Sequence, residues 1–217
     1  DTKLDGKEGI LEKKKNKIIH RWQLRKKDNY FQQITELLKD EINQVEQFIR
    51  NELDNKLDVI PKLVDYLLKA GGKRIRPILV ILVYRACGKT DNGFVLPAAA
   101  AEWLHTATLF HDDIVDEGSM RRGRQSPNRV FGNNYSVLVG DYLLARSLAA
   151  VYDIKIPQVI KSFADIVQIM SEGELLQLEN QHNVEMPETD YYKIVHAKTA
   201  SLFGWCCESA AVVAGMD

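Results

Sequence analysis

From Tyr30 to Leu53 the apolar residues Phe31, Ile34, Leu37, Leu38, Ile42, Val45, Phe48, Ile49 and Leu53 recur at three- and four-residue intervals. That is the spacing of one face of an amphipathic α-helix. Ile60, Leu63, Val64, Leu67 and Leu68 repeat the pattern around Pro61 and stop at Gly71-Gly72, as expected when proline sits in a first turn and glycine ends a helix. Further helices are predicted from about Leu96 through an acidic cluster, from Tyr135 to Val151, from Pro157 to about Gln181, and from about Pro187 to the end. No stretch reads convincingly as a strand, and no internal repeat or low-complexity linker is visible. The expected fold is all-α, a helical bundle around a central cavity.

With 217 residues, of which 45% are apolar and 27% charged, the chain is long enough for one sizeable core. Its net charge of −1 argues against nucleic acid as a partner, so any affinity for anions must come from local clusters. Three cysteines, two of them the adjacent Cys206 and Cys207, do not form a disulfide framework and point to a reducing, intracellular setting. No apolar run approaches the ~18 residues needed to cross a bilayer, so a soluble or peripheral protein is expected. Residues 1–27 carry ten lysines and arginines but no signal-peptide core, and are read as a basic N-terminal arm preceding a helical domain over 28–217.

The chemistry concentrates in Glu102 to Arg124, EWLHTATLFHDDIVDEGSMRRGR. On a helix, Asp112 and Asp116 share a face while Asp113 sits about 100° round. Two such carboxylates suit Mg²⁺, which keeps several waters and shares its remaining positions with substrate phosphates. Arg121 and Arg122 follow, and a guanidinium fork matches phosphate oxygens. An isolated DDxxD is more often a solvated helix end. Here, however, Ala107, Leu109, Phe110, Ile114 and Val115 make the surroundings apolar, and crowded carboxylates there need a compensating cation.

GGKRIRP, Gly71 to Pro77, is a basic turn leading into a helix entered at Pro77. Alone it would be surface; its interest lies in converging with Arg121 and Arg122. His105 lies seven residues before Asp112 and can donate to a bound phosphate. His105 and His111 flank the acids, which keeps a His-Asp metal phosphohydrolase open as a remote alternative. His182 and His196 are assigned to no metal. Spacing leaves open whether Lys198-Thr199, or Glu172 and Glu174 with Gln177, face the cavity.

Taken together, GGKRIRP at Gly71, LHTATLFHDDIVD at Leu104, SMRRGR at Ser119, GDYLLA at Gly140, SEGELLQL at Ser171 and KTASLF at Lys198 resemble the trans-type isoprenyl diphosphate synthases. The motifs keep the family's order over roughly Tyr30 to Asp217. The resemblance implies an isoprenoid synthase fold, homodimeric, that condenses isopentenyl diphosphate with an allylic diphosphate using Mg²⁺. It implies that Lys73, Arg76, His105 and Arg122 bind the isopentenyl diphosphate. Asp112 and Asp116 would hold the metal, and Arg121, Lys198 and Thr199 the allylic diphosphate. Small residues at Ala107 and Thr108, with Leu104 one turn deeper, stand where short-product members tend to place an aromatic ring. A long all-trans product of the quinone side-chain kind is therefore expected, with peripheral membrane contact allowed for its release. The implied location is cytoplasmic, or mitochondrial or plastid in a eukaryote. One departure stands out: the family's second aspartate-rich motif is not found in these 217 residues. A fragment of a longer protein is the favoured explanation. A non-catalytic partner subunit is the alternative.

Overall fold

A computed structural model describes residues 29–53, 57–69 and 71–216; the basic arm expected over 1–27 lies outside them. The chain divides into two compact units, residues 1–39 and 40–217. In the first, helix α1 (Asn29–Leu37) is closed locally, Thr35 Oγ1 donating to the Phe31 carbonyl at 2.8 Å. The single helix expected from Tyr30 to Leu53 is in fact two, because a turn at Leu38 separates α1 from α2 (Lys39–Leu53). Asp40 and Glu41 occupy the first turn of α2, where the positive end of the helix dipole favours carboxylates.

The second unit continues with α3 (Val59–Leu68), α4 (Ile75–Ala86) and α5 (Val95–Val115). After a short hairpin come α6 (Pro127–Phe131), α7 (Asn133–Asp153), α8 (Pro157–Glu179), α9 (Glu188–Val195) and α10 (Ser201–Val213). α5 is the axis of this unit, packing on α4, α7 and α10. Its small Ala98, Ala99, Ala100 and Ala101 are wholly buried, and side chains of that size let neighbouring backbones approach. Phe163 of α8 meets Trp205 of α10 edge-on, with centroids 4.9 Å apart. Both are fully buried, and truncating either to alanine should remove roughly 3–5 kcal/mol.

Two local departures from the sequence reading shape the site. α4 starts at Ile75, two residues before the expected Pro77. Proline is tolerated there because first-turn amides have no intrahelical acceptor. A strand pair, Met120–Arg121 against Arg124–Gln125, interrupts the otherwise helical chain. Arg122 (φ 51°) and Gly123 (φ 79°) form its turn, and two consecutive left-handed residues are the mark of a type I′ hairpin. Arg-Gly is not the usual Asn-Gly signal, which is why the loop carried no strand prediction. Among the described residues no helix is long and apolar enough to cross a membrane.

Candidate functional site

Two cavities border α5. The first, about 320 Å³, is lined by Leu104, Ala107, Thr108, Asp112, Glu174, Lys198 and Thr199 among others. The second, about 610 Å³, lies against Gly71 to Arg76, Glu102, His105 and Arg122. Arg76 and His105 line both. Of the two arginines expected to converge with Gly71 to Pro77, Arg122 lines the same cavity, whereas Arg121 turns to Asp113.

In the acid cavity, burial pushes the Asp112 carboxyl up to about 6. Lys198 pulls it down, whereas Glu174 and Asp116 push it further up. Asp116 follows directly on α5, its amide donating to the Asp112 carbonyl at 2.8 Å. Lys198 Nζ is 2.6 Å from Glu174 Oε2 and donates to Gln177 Oε1 at 3.2 Å. The open question about Glu174, Gln177 and Lys198 is thus answered: they face one another beside Asp112. Glu172 instead accepts a hydrogen bond from Gln168 on its own helix at 2.7 Å. Lys198 reaches this position from a π-helical turn, His196–Ala200, a distortion that often marks functional segments. Gly173 makes room for it, since a Cβ there would lie 2.5 Å from Ala197 Cβ and 3.2 Å from the Lys198 nitrogen.

Asp113, 3% exposed, is the residue to which sequence reasoning gave no role. Its carboxylate accepts from Arg121 Nε at 2.8 and 2.9 Å and lies 2.7 Å from Arg121 NH2. Its carbonyl accepts from the Gly118 amide at 2.9 Å and Asn128 Nδ2 at 3.0 Å. A bidentate arginine–carboxylate pair is strong and directional. Asp113 therefore ties the hairpin to α5 and aims Arg121, leaving Asp112 and Asp116 as the outward acids. No spacing rule signals this pair, because the hairpin must fold back first.

In the cationic cavity Arg74 is left-handed (φ 51°) and its Nε donates to Glu46 at 2.9 Å. The Arg76 guanidinium stacks over Phe203, 4.9 Å from the ring centroid. Among the described residues its buried Nε has no hydrogen-bond partner, an orphan donor of the kind an anionic ligand satisfies. Burial, reinforced by Arg76, Arg122, Arg121 and Arg74, holds the His105 imidazole down to about 3. His105 is therefore neutral at physiological pH, keeping one N–H to donate and one nitrogen to accept. Lys73 and Arg122 stand exposed at the rim.

His111 Nε2 lies 3.3 Å from Asp141 Oδ1 and 3.3 Å from the Val137 carbonyl. The ring packs on Gly140, where a Cβ would approach it to 2.3 Å. This histidine pins α5 to α7, lying beside Asp141 instead of pairing with a motif acid. Among the described residues no three His, Cys, Asp or Glu side chains form a metal cage. Asp112, which lines the cavity, and the exposed Asp116 one turn on do fit a hard divalent ion that keeps part of its water shell.

The all-α fold thus holds, along one helix, a cavity bordered by Asp112, Glu174 and Lys198 and a cavity bordered by Lys73, Arg74, Arg76 and Arg122, the two meeting at Arg76 and His105. The chain belongs to the polyprenyl synthetase family, which residues 57–217 match. It is 38% identical over 184 residues to the octaprenyl diphosphate synthase of Escherichia coli (strain K12), an alignment covering 85% of this chain and 57% of that protein. It is 41% identical over 172 residues to the all-trans-nonaprenyl-diphosphate synthase (geranyl-diphosphate specific) of Rhodobacter capsulatus, covering 79% and 53%. A crystal structure of a decaprenyl diphosphate synthase from Rhodobacter capsulatus superposes with a TM-score of 0.83 at 36% identity, covering 86% of this chain and 58% of that one. A polyprenyl synthase from Caulobacter crescentus CB15, complexed with calcium and isoprenyl diphosphate, gives a TM-score of 0.83 at 35% identity, covering 86% and 57%. The fold is thus that of the isoprenoid synthases, as the ordered motifs implied. The chain spans 53% to 57% of the length of these two curated relatives.

Proposed function

We propose that the full-length protein containing these residues condenses isopentenyl diphosphate with an allylic diphosphate, giving an all-trans polyprenyl diphosphate longer than twenty carbons for a quinone side chain. The observation that carries this is the pair of cavities along α5 that share Arg76 and His105. Lys73, Arg76, Arg122 and neutral His105 are suited to one diphosphate. Arg121, Lys198 and Thr199 are suited to a second, beside Asp112 and Asp116. Those two acids would hold Mg²⁺, which when bound offsets charge on a leaving diphosphate. In the reaction, the allylic carbon–oxygen bond breaks and diphosphate leaves with the electron pair. The isopentenyl double bond then attacks that carbon, and one proton is lost as the new double bond forms. Lys198 and Arg121 stabilise the departing charge, while the apolar walls at Leu104 and Ala107 keep water from the allylic cation. Octaprenyl- and nonaprenyl-forming relatives support the long product, and a relative complexed with calcium and isoprenyl diphosphate supports the ligand classes.

With labelled isopentenyl diphosphate, an allylic primer and Mg²⁺, the purified full-length protein is expected to yield extractable prenyl product. No product under these conditions would defeat the reading. The same protein is expected to be a homodimer. α7 leaves Tyr135, Leu138, Leu148 and Tyr152 between 47% and 69% exposed, an apolar surface of the kind that partner chains cover. Sedimentation at micromolar concentration should give twice the chain mass; a strict monomer would count against the dimer.

A further inference from the structure

Glu102 is a carboxylate in the wall of a cavity otherwise suited to anions. It is 7% exposed, and the other charged side chains lining that cavity are Lys73, Arg74, Arg76 and Arg122. Two of these cations crowd one spot: a Cβ on Gly72 would lie 2.8 Å from Arg74 NH1 and 3.1 Å from Arg122 NH1. Arg74 is nevertheless turned to the wall, with NH1 3.4 Å from Glu102 Oε1 and Nε on Glu46. Burial pushes the Glu102 carboxyl up, while Arg74, Arg76 and Arg122 pull it back toward ionisation. A buried carboxylate that serves only packing could be an apolar side chain at lower desolvation cost.

We infer that Glu102 is a positioning residue that limits how tightly this cavity holds a diphosphate, by committing Arg74 to the wall and setting one negative charge against the remaining cations. This inference rests on the proposed condensation for its purpose. In that reaction the group that leaves comes from the allylic partner, so the product keeps the diphosphate that arrived on isopentenyl diphosphate. A chain built by repeated additions must therefore vacate the cationic cavity once per cycle. Four unopposed cations would retain the anion and stall the next addition, and Glu102 lowers that retention.

The test uses the full-length protein, wild type and Glu102→Gln, titrated calorimetrically with inorganic diphosphate and with isopentenyl diphosphate in the presence of a chelator. Removing a unit charge this close should tighten both by about tenfold, at the effective dielectric of a partly buried site. KM for isopentenyl diphosphate should fall in parallel while kcat falls and the products shorten. Glu102→Asp, which keeps the charge, should restore wild-type affinity. A purely structural role predicts weaker binding and no such split. Should Glu102→Gln fail to fold, Glu46→Gln decides: Glu46 holds the same guanidinium from a half-exposed site, and its loss should tighten diphosphate by a smaller factor. Unchanged or weakened affinity in the folded variants overturns the inference. A wild-type protein that binds diphosphate yet makes no prenyl product would defeat the proposed function instead, and the affinity comparison would still decide the role of Glu102.

Discussion

Asp112→Asn in the full-length protein is expected to lower turnover by about 100-fold or more, while raising the melting temperature of the metal-free protein. The first half follows from removing one of two acids suited to the metal, a contact that matters most when charge develops on the leaving diphosphate. The second half follows from the Asp112 environment, in which burial and the Glu174 and Asp116 carboxylates push its carboxyl up to about 6. An acid with a raised pKa binds its proton more tightly in the folded than in the unfolded chain. Stability from this group is therefore lost as pH rises from the ordinary aspartate range through about 6, and the loss is complete by pH about 7. Asparagine carries no such burden. Asp112 is partly solvated, so the gain is discounted to the order of 1 kcal/mol at neutral pH. Thermal melts in chelator at acid and neutral pH measure it: the variant should melt above wild type at neutral pH, with the gap closing as the medium becomes acidic. A variant that melts lower at neutral pH, or keeps full turnover, would show that Asp112 is a packing residue.

Ala107→Phe should shorten the product by several isoprene units while leaving primer binding nearly intact. Ala107 and Leu104 are each 2% exposed, yet both line the acid cavity, opposite Val167 and Met170 of α8. Thr108 beside them turns its hydroxyl to the His105 carbonyl at 2.9 Å, so it offers the growing chain no unsatisfied donor. A phenyl ring brings well over 100 Å² of surface into a space of about 320 Å³. Overpacking a buried position costs about 1–3 kcal/mol, and a ring that turns into the cavity avoids much of this by occupying the path of the prenyl chain. Chromatography of the dephosphorylated products reads the outcome. Equal lengths for variant and wild type would mean that the chain does not run along this face of α5.

Features whose geometry is closed within one helix could be read from the order of residues. The apolar periodicity that marks α5 and α8, the shared face of Asp112 and Asp116, and the small residues one turn before the acids all depend on a rise and a repeat that every α-helix has. The ordered motifs carried the family in the same way. What tertiary structure alone decided are the pairs that cross elements. Arg121 grips Asp113 because a left-handed Arg122-Gly123 turn folds the hairpin back onto α5. Lys198 meets Glu174 because Gly173 admits a π-helical turn against α8. Arg74 turns to Glu46 and Glu102 in the wall of the cationic cavity, whereas Arg76, two residues on, lies over Phe203 and lines both cavities. Helical spacing says which residues share a face; which cation faces a ligand and which a carboxylate depends on loop dihedrals and on the packing of distant helices, neither of which has a period in the sequence.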